Sequence, residues 1–208
     1  PLLRPYVTPT VYTGADILCY GDSLTAGYCT PEFVPYAASL SKALGGRPVD
    51  HAGMSGWTAE RMVRRAESER DAAMGLVYPG LRRLLKFGDH YSVVVLMAGT
   101  NDLGFSSSSS IADNVVRLHR MCHDAGVRTV AVTVPQSAFA SDAAASAGRL
   151  NLREKQIEVN SLLREFASAN SDRCYFAEME DMVPWSAGSD DWMADGLHMS
   201  KKGYEKFG

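Results

Sequence analysis

Short apolar runs recur along the chain, separated by longer stretches in which apolar and polar residues are mixed. The clearest runs cover residues 17–20, 93–97 and 129–134, and weaker ones begin at Val49 and at Cys174. These runs are continuously apolar, which is typical of parallel strands covered on both faces. The pattern therefore predicts about five parallel strands.

The stretches between the apolar runs have the length and periodicity of helices. Five helices are predicted, over residues 34–44, 58–70, 79–87, 111–125 and 150–169. Strands that alternate with helices form βα units with right-handed crossovers. We therefore predict an α/β protein: a three-layer α/β/α sandwich around a central parallel sheet, folded as a single domain over residues 1–208.

Two residues are predicted to mark helix ends. Thr58 follows a Gly-Trp pair and is expected to cap the helix that begins there. Gly126 directly follows residues 111–125, whose apolar positions recur on one helical face. A glycine at that position is typical of a helix C-terminus.

Two low-complexity segments follow predicted strands, a serine run at residues 106–110 and an Ala/Ser-rich segment at residues 137–148. Open α/β sheets hold their functional sites at the carboxyl edge of the strands. We expect these segments to be either mobile loops beside a cleft or plain solvated linkers. The sequence leaves open whether residues 137–148 close over a substrate.

The charge balance and the cysteines narrow the function classes. The chain has 21 Lys and Arg against 24 Asp and Glu, a formal net charge of −3, so no nucleic-acid partner is expected. Its four cysteines are widely spaced without a CxxC pair, which argues against a zinc knuckle or a dithiol redox motif. We expect reduced thiols, no transmembrane segment and, without a signal-peptide pattern, a cytoplasmic location. The oligomeric state stays open.

Candidate chemistry begins directly after the first apolar run. Residues 21–27 read Gly-Asp-Ser-Leu-Thr-Ala-Gly, which places Ser23 at a predicted strand-to-helix turn. There its hydroxyl can project from the edge of the sheet, beside a helix N-terminus that favours negative charge. Taken alone, this segment fits a simple turn as well.

Three further segments carry polar groups after other predicted elements. Residues 51–57 contain glycines, whose backbone N–H groups can approach a ligand oxygen closely. Asn101, in Gly-Thr-Asn-Asp at residues 99–102, has an amide that can donate to an oxyanion or cap a turn. Asp195 and His198 can meet within one short loop, where the carboxylate fixes the tautomer of the imidazole.

Together the four segments resemble the motifs of the SGNH (GDSL) hydrolases. Gly-Asp-Ser-Leu, Gly-x-x-Gly, Gly-x-Asn-Asp and Asp-x-x-His occur in the order and rough spacing of that family, over residues 17–204. The resemblance implies a flavodoxin-like α/β/α fold. It also implies a carboxylic-ester hydrolase, a serine esterase or lipase that needs neither a cofactor nor a metal.

The resemblance further implies a role for each of five residues. Ser23 would be the nucleophile, His198 the general base and Asp195 the carboxylate that orients His198. The oxyanion hole would consist of the backbone N–H groups of Ser23 and Gly56 and the side chain of Asn101. A serine hydroxyl needs such a base within hydrogen-bond reach, and a tetrahedral oxyanion needs such donors.

The substrate is a small-molecule ester in this interpretation, and two classes of ester compete. Tyr28, Trp57 and Phe105 are candidate walls of an apolar pocket, although Trp57 fits core packing equally well. Such walls favour small or medium acyl esters, including lipid or thioester substrates. The alternative is a carbohydrate O-acetyl esterase with the same catalytic residues.

Other sites are weakly supported by the sequence. A nucleotide-binding module is disfavoured because neither Gly-x-Gly-x-x-Gly nor the Walker pattern occurs. The Gly-x-Ser-x-Gly elbow of other esterases is missing as well.

His119 and His123 have the spacing of zinc ligands on a helix. Arg120 stands where a zinc hydrolase has Glu, and no third ligand is obvious, so we expect surface or partly packed histidines.

Overall fold

A computed structural model describes residues 14–87, 91–142 and 152–208. The strands are β1 (Ile17–Gly21), β2 (Tyr28–Cys29), β3 (Glu32–Phe33), β4 (Val49–Gly53), β5 (Asp71–Ala73), β6 (Leu76–Tyr78), β7 (Val93–Met97), β8 (Arg128–Val132) and β9 (Cys174–Ala177). The helices are α1 (Ser23–Ala26), α2 (Ala37–Ala43), α3 (Ala59–Arg64), α4 (Leu81–Phe87), α5 (Ser108–Asp124), α6 (Arg153–Ala169), α7 (Met179–Met182) and α8 (Lys201–Phe207), with a 3₁₀ turn at Thr100–Asp102.

The central sheet has five strands in the order β4-β1-β7-β8-β9, and every neighbouring pair is parallel. This confirms the predicted α/β sandwich and its five strands. Two short antiparallel hairpins, β2–β3 and β5–β6, lie outside this sheet. Neither hairpin is predicted by the pattern of apolar runs.

Both faces of the sheet are covered by helices, as the continuous apolar runs predicted. Leu18 and Tyr20 of β1 belong to a buried cluster that includes residues from α3, α4, α5 and α6. Cys19, between them, belongs to a second buried cluster with residues from α1, α2 and α8. Successive residues of β1 thus face opposite layers, and neither face meets water.

Both predicted helix ends are confirmed. The side chain of Thr58 accepts a hydrogen bond from the backbone of Arg61 at the start of α3. At the end of α5, Gly126 has a φ of +76°, and the N–H of Val127 donates back to Cys122. This is the left-handed cap that favours glycine.

Three predicted element boundaries are wrong for identifiable reasons. The helix predicted from residue 34 begins at Ala37, because Pro35 disfavours a helical conformation at Val34. The helix predicted over residues 58–70 ends at Arg64, before the β5–β6 hairpin. The side chain of Arg65 donates twice to Asp71, at 2.9 and 2.7 Å, and so supports this turn.

The third wrong boundary is the start of α5. The serine run at residues 106–110 is predicted to be a loop or linker, and this is wrong for its last three residues. Residues 108–110 form the first turn of α5, and Ser107 caps it by accepting a hydrogen bond from the backbone of Ser110. In the Ala/Ser-rich segment, Ser137 and Ala140 form an isolated bridge, whereas residues 143–148 lie outside the described part of the chain.

Two simpler expectations can be compared with the described residues. All four cysteines are free, which agrees with the expected thiols. Among residues 14–87, 91–142 and 152–208, no helix has the length and apolar character that crossing a bilayer requires.

Candidate active site

Three loops meet where neighbouring strands end. Gly21 is in register with Gly53 on one side and with Met97 on the other, so the segments after β1, β4 and β7 leave the sheet together. A Cβ atom on Gly21 would lie 2.1 Å from the carbonyl oxygen of Met97, and one on Gly53 would lie 2.1 Å from the nitrogen of Ala26. Glycine at both positions therefore lets α1 lie directly on the edge of the sheet.

Ser23 is the first residue of α1 and is only 8% exposed. The helix begins there because Asp22 caps it, with Oδ1 accepting the N–H of Leu24 at 3.0 Å. Gly27 ends the helix in the left-handed region. Ser23 is thus held at a strand-to-helix turn, as the sequence predicted.

The imidazole of His198 lies between Ser23 and Asp195. His198 Nε2 is 2.9 Å from Ser23 Oγ, and His198 Nδ1 is 2.8 Å from Asp195 Oδ2. In the tautomer that carries its proton on Nδ1, the imidazole donates to the carboxylate and accepts from the hydroxyl. These three side chains therefore form one continuous hydrogen-bonded chain.

The loop that holds Asp195 and His198 is closed by the bridge between Trp192 and Met199. Asp195 Oδ1 accepts the backbone N–H groups of Leu197 and His198, at 2.9 and 3.0 Å. Burial by itself would raise the pKa of Asp195, but these bonds and the imidazole outweigh it and hold the pKa below its ordinary value. The carboxylate is therefore ionised and fixed in position near neutral pH.

Asn101 lies in the 3₁₀ turn after β7, close to the loop that follows β4. Its side-chain Nδ2 donates to the backbone carbonyl of Trp57 at 3.0 Å, which orients the amide. Gly56, the residue before Trp57, has a φ of +77°. Ser23, Gly56 and Asn101 all line the same cavity, so the three predicted oxyanion donors are brought together.

A carboxylate from the 3₁₀ turn also fixes the start of α3. Asp102 is buried, and its Oδ2 accepts the backbone N–H of Ala59 at 2.9 Å. Burial raises the pKa of Asp102, against the backbone hydrogen bonds that lower it. This bond holds the loop that carries Gly56 against the turn that carries Asn101.

The cavity measures about 320 Å³, and its lining surface is more apolar than polar. Its lining consists of Ser23, Tyr28, Ser55, Gly56, Met74, Asn101, Asp195, Leu197 and His198. The ring of Tyr28 lies 4.7 Å from that of His198, centroid to centroid, and the hydroxyl of Tyr204 donates to the carbonyl of Tyr28. Tyr28 therefore lines the cavity, as the sequence analysis expected.

The other two predicted pocket aromatics lie elsewhere. Trp57 is 3% exposed and packs in the core, with the guanidinium of Arg61 4.2 Å from the centre of its ring. Phe105 is 89% exposed and is not part of the lining. The wall predicted from these two residues is wrong, because Trp57 points into the molecule and Phe105 points away from it.

Three lining residues were missed by the sequence analysis. Ser55 and Leu197 lie inside the recognised segments, next to Gly56 and His198. Met74 comes from the tip of the β5–β6 hairpin and has a φ of +51°. A Met-Gly pair between two short apolar runs was the available signal for that turn.

The fold and the site together define a class of protein: an α/β protein in which a serine, a histidine and an aspartate are hydrogen-bonded in line at the carboxyl edge of a parallel sheet. The model of the GDSL-like Lipase/Acylhydrolase family matches residues 19–206, and the chain belongs to this family. It is accordingly a carboxylic-ester hydrolase.

Several solved structures share the fold. The chain resembles Est24, a carbohydrate acetylesterase from Sinorhizobium meliloti, with 20% identity and a TM-score of 0.65 over 93% of this chain and 94% of that one. For the psychrotrophic esterase EstA from Pseudoalteromonas sp., identity is 19% and the TM-score 0.64, over 92% and 91% of the two chains.

A third neighbour is a family 3 carbohydrate esterase from Clostridium thermocellum. It is 20% identical, with a TM-score of 0.63 over 92% of this chain and 90% of that chain. No curated protein matches the sequence.

Proposed function

We propose that the protein hydrolyses short-chain carboxylic esters through an acyl-enzyme intermediate on Ser23. The observation that carries the proposal is the continuous hydrogen-bonded chain from Asp195 through His198 to Ser23, at the wall of an open cavity. A hydroxyl bonded to an imidazole, which is in turn oriented by a carboxylate, is the arrangement that activates a serine.

The proposed reaction has two halves. Ser23 Oγ attacks the ester carbonyl while His198 Nε2 takes its proton, and the same proton then passes to the leaving alcohol. A water molecule next attacks the acyl-enzyme while His198 takes its proton, and His198 then gives that proton to Ser23 Oγ as the carboxylic acid leaves. Asp195 stays ionised throughout and stabilises the imidazolium.

The oxyanion of each tetrahedral intermediate requires donors that are already in place. The N–H groups of Ser23 and Gly56 and the amide of Asn101 are proposed to supply them. Support comes from their shared position on the cavity and from the bond between Asn101 and the carbonyl of Trp57, which fixes the amide before substrate arrives.

Substrate size follows from what lines the cavity. Apolar contact is limited to Tyr28, Met74 and Leu197, because Trp57 is buried and Phe105 lies outside. A volume of about 320 Å³ is at the small end for ligand sites. These features favour acetyl and other short acyl groups over the medium chains and lipids that the sequence analysis also considered.

A carbohydrate O-acetyl esterase is the second candidate. The small volume of the cavity and the hydroxyl, amide and carboxylate groups among its lining residues suit an acetyl group on a hydrated alcohol. Two of the structural neighbours are described as carbohydrate esterases, and their likeness to this chain shows the fold alone. The catalytic residues would be the same in both cases, so the two candidates differ only in the alcohol part of the substrate.

An ester panel tests the proposal. We expect kcat/KM for p-nitrophenyl esters to be highest for acetate and to fall steadily towards decanoate. Ser23→Ala should lose essentially all activity, whereas Ser109→Ala, at an exposed serine on α5, should keep it. Acetylated xylan, assayed in parallel, separates the two candidates. Preference for decanoate, or equal activity of the Ser23 variant, would contradict the proposal.

A further inference from the structure

A cluster of three metal-ligating side chains lies at the opposite edge of the sheet from Ser23. His119 and His123 are one turn apart on α5, and Cys174 is the first residue of β9. One ligand atom from each lies within 4.8 Å of the other two. Cys174 is in register with Thr129 near the amino end of β8, so the cluster lies at the amino edge of the strands.

His119 is the least expected member of the cluster. It is 0% exposed, and neither ring nitrogen has a hydrogen-bond partner among the described residues. Burying an imidazole without hydrogen-bond partners is unfavourable, because the ring loses its hydrogen bonds to water and forms none with the protein. A bound metal ion would satisfy a nitrogen that no protein group satisfies.

We propose that His119, His123 and Cys174 form a binding site for a zinc-class transition-metal ion. Two imidazoles and a thiolate are the donors that Zn²⁺ prefers and that hard ions such as Mg²⁺ and Ca²⁺ do not. Donor atoms in a tetrahedral zinc site lie roughly 3.3–3.6 Å apart, given bonds of about 2.0–2.3 Å. The donor atoms here lie within 4.8 Å of one another, so forming such a site requires them to approach by about 1.5 Å at most.

The surroundings supply the rest of such a site. Thr129 Oγ1 lies 3.0 Å from His123 Nε2, so a hydroxyl is present next to the three ligands. The ring of Phe166 stacks on His123 at 6.0 Å and lies 5.4 Å from the ring of His119, which covers the cluster with an apolar surface. His123 itself is partly exposed, which leaves an entry for the ion.

Charged groups near His123 partly oppose the charge that a bound ion would bring. The Cys174 thiol, whose pKa burial raises, loses its proton to solvent when it binds the ion. A divalent ion and one thiolate leave a single net positive charge. Asp124 and Asp172 lie near His123 and oppose that charge, while Arg173 adds to it and is itself paired with Asp172.

The site would join two elements that are distant in sequence. It would link the C-terminal turns of α5 to the beginning of β9, which is an edge strand of the sheet. Because the catalytic serine is at the other edge, the ion would stabilise the fold without taking part in ester hydrolysis. A structural rather than catalytic ion is therefore expected.

The test is titration of protein freed of metal by EDTA and dialysis. We expect one Co²⁺ per chain, with the charge-transfer absorption of a cobalt–thiolate bond, and displacement by Zn²⁺ with a Kd below about 1 µM. Cys174→Ser should abolish the charge-transfer band. His123→Gln, at a partly exposed position that should still fold, should weaken Zn²⁺ binding at least 100-fold.

Matched controls separate the cluster from adventitious thiols and histidines. Cys29→Ser removes a partly exposed thiol elsewhere, and His51→Gln removes a histidine of β4; both should bind Co²⁺ and Zn²⁺ like the unmodified protein. The proposal is overturned if no ion binds stoichiometrically, if the band persists in Cys174→Ser, or if His123→Gln binds Zn²⁺ normally. Ester hydrolysis is assayed separately and is not used to judge whether this metal site exists.

Discussion

The Nε2 atom of His198 lies 2.9 Å from the Oγ atom of Ser23, although 175 positions separate the two residues. The sheet brings them together, because Ser23 follows the interior strand β1 and the loop of His198 precedes α8, which packs on the same face as α1. The fold therefore positions this pair, and each neighbour that fixes it can be tested.

Asp195→Asn should lower kcat on the order of 10³–10⁴ with little change in KM. The amide that replaces Oδ2 can present an N–H to the imidazole, which favours the tautomer with its proton on Nε2. That nitrogen then cannot accept the proton of Ser23. Steady-state kinetics check this, with the exposed Asp190→Asn of the same loop as control. A variant with normal kcat would show that Asp195 does not orient His198.

Asn101→Ala should lower kcat on the order of 10²–10³ and leave KM nearly unchanged, because its bond to the oxyanion strengthens only in the transition state. Asn101→Asp keeps the shape and loses the donor, so it should be at least as slow. Asn114→Ala, whose amide donates to Ser110 within α5, serves as control. An effect on KM alone would mean that Asn101 only positions the substrate.

Asp22 predicts a pH dependence of stability. Burial raises its pKa to about 7 from an ordinary value of 3.8, aided by the charge of Asp102 and opposed by the N–H of Leu24. Between these two values the native protein holds a proton that the unfolded chain has released. The free energy of unfolding contributed by this group therefore falls as pH rises from about 4 to about 7.

Asp22→Asn removes this titration while keeping an acceptor for the cap of α1. We compare the free energy of unfolding of the variant with that of the unmodified protein. The difference should shift in favour of the variant by at least about 1 kcal/mol from pH 5 to pH 8, which corresponds to roughly 2–4 °C in Tm. Denaturant unfolding at both pH values measures the difference, with the exposed Asp113→Asn as control. If the free energies of unfolding of the two proteins differed by the same amount at pH 5 and pH 8, Asp22 would be ionised in the folded protein at both pH values.

Gly53→Ala should destabilise the protein by about 1–3 kcal/mol, because its Cβ would lie 2.1 Å from the backbone nitrogen of Ala26 and push α1 off the sheet edge. Catalysis should fall as well, since Ser23 moves with α1. Gly104→Ala, where a Cβ has open space, should change stability by no more than about 0.5 kcal/mol. Thermal unfolding compares them, and equal Tm values would contradict the predicted contact.

The layers and the strands could be predicted because strands that are buried on both faces have continuously apolar sequences. Residues such as Val93 to Met97 are apolar in succession, which is typical of a parallel strand covered on both faces. The short hairpins could not be predicted so easily. Each has strands of two or three residues, and their pairing depends on tertiary contacts such as the one between Arg65 and Asp71.

The polar residues of the site could be predicted because sheet topology brings the ends of parallel strands to one edge. The pocket walls could not, since side-chain direction decides them. Trp57 adjoins Gly56 in sequence yet points into the core, whereas Met74 enters from a hairpin that no motif marked. For the same reason no third ligand for His119 and His123 could be predicted, although β9 brings Cys174 close to them.

Labelling with a fluorophosphonate tests most directly whether Ser23 is the nucleophile. The reagent reacts with an activated serine, and peptide mass spectrometry identifies the modified residue. We expect one adduct per chain, on Ser23, lost in Ser23→Ala and kept in Ser55→Ala, a second serine that lines the same cavity. An adduct on Ser55, or undiminished labelling of Ser23→Ala, would contradict the assignment.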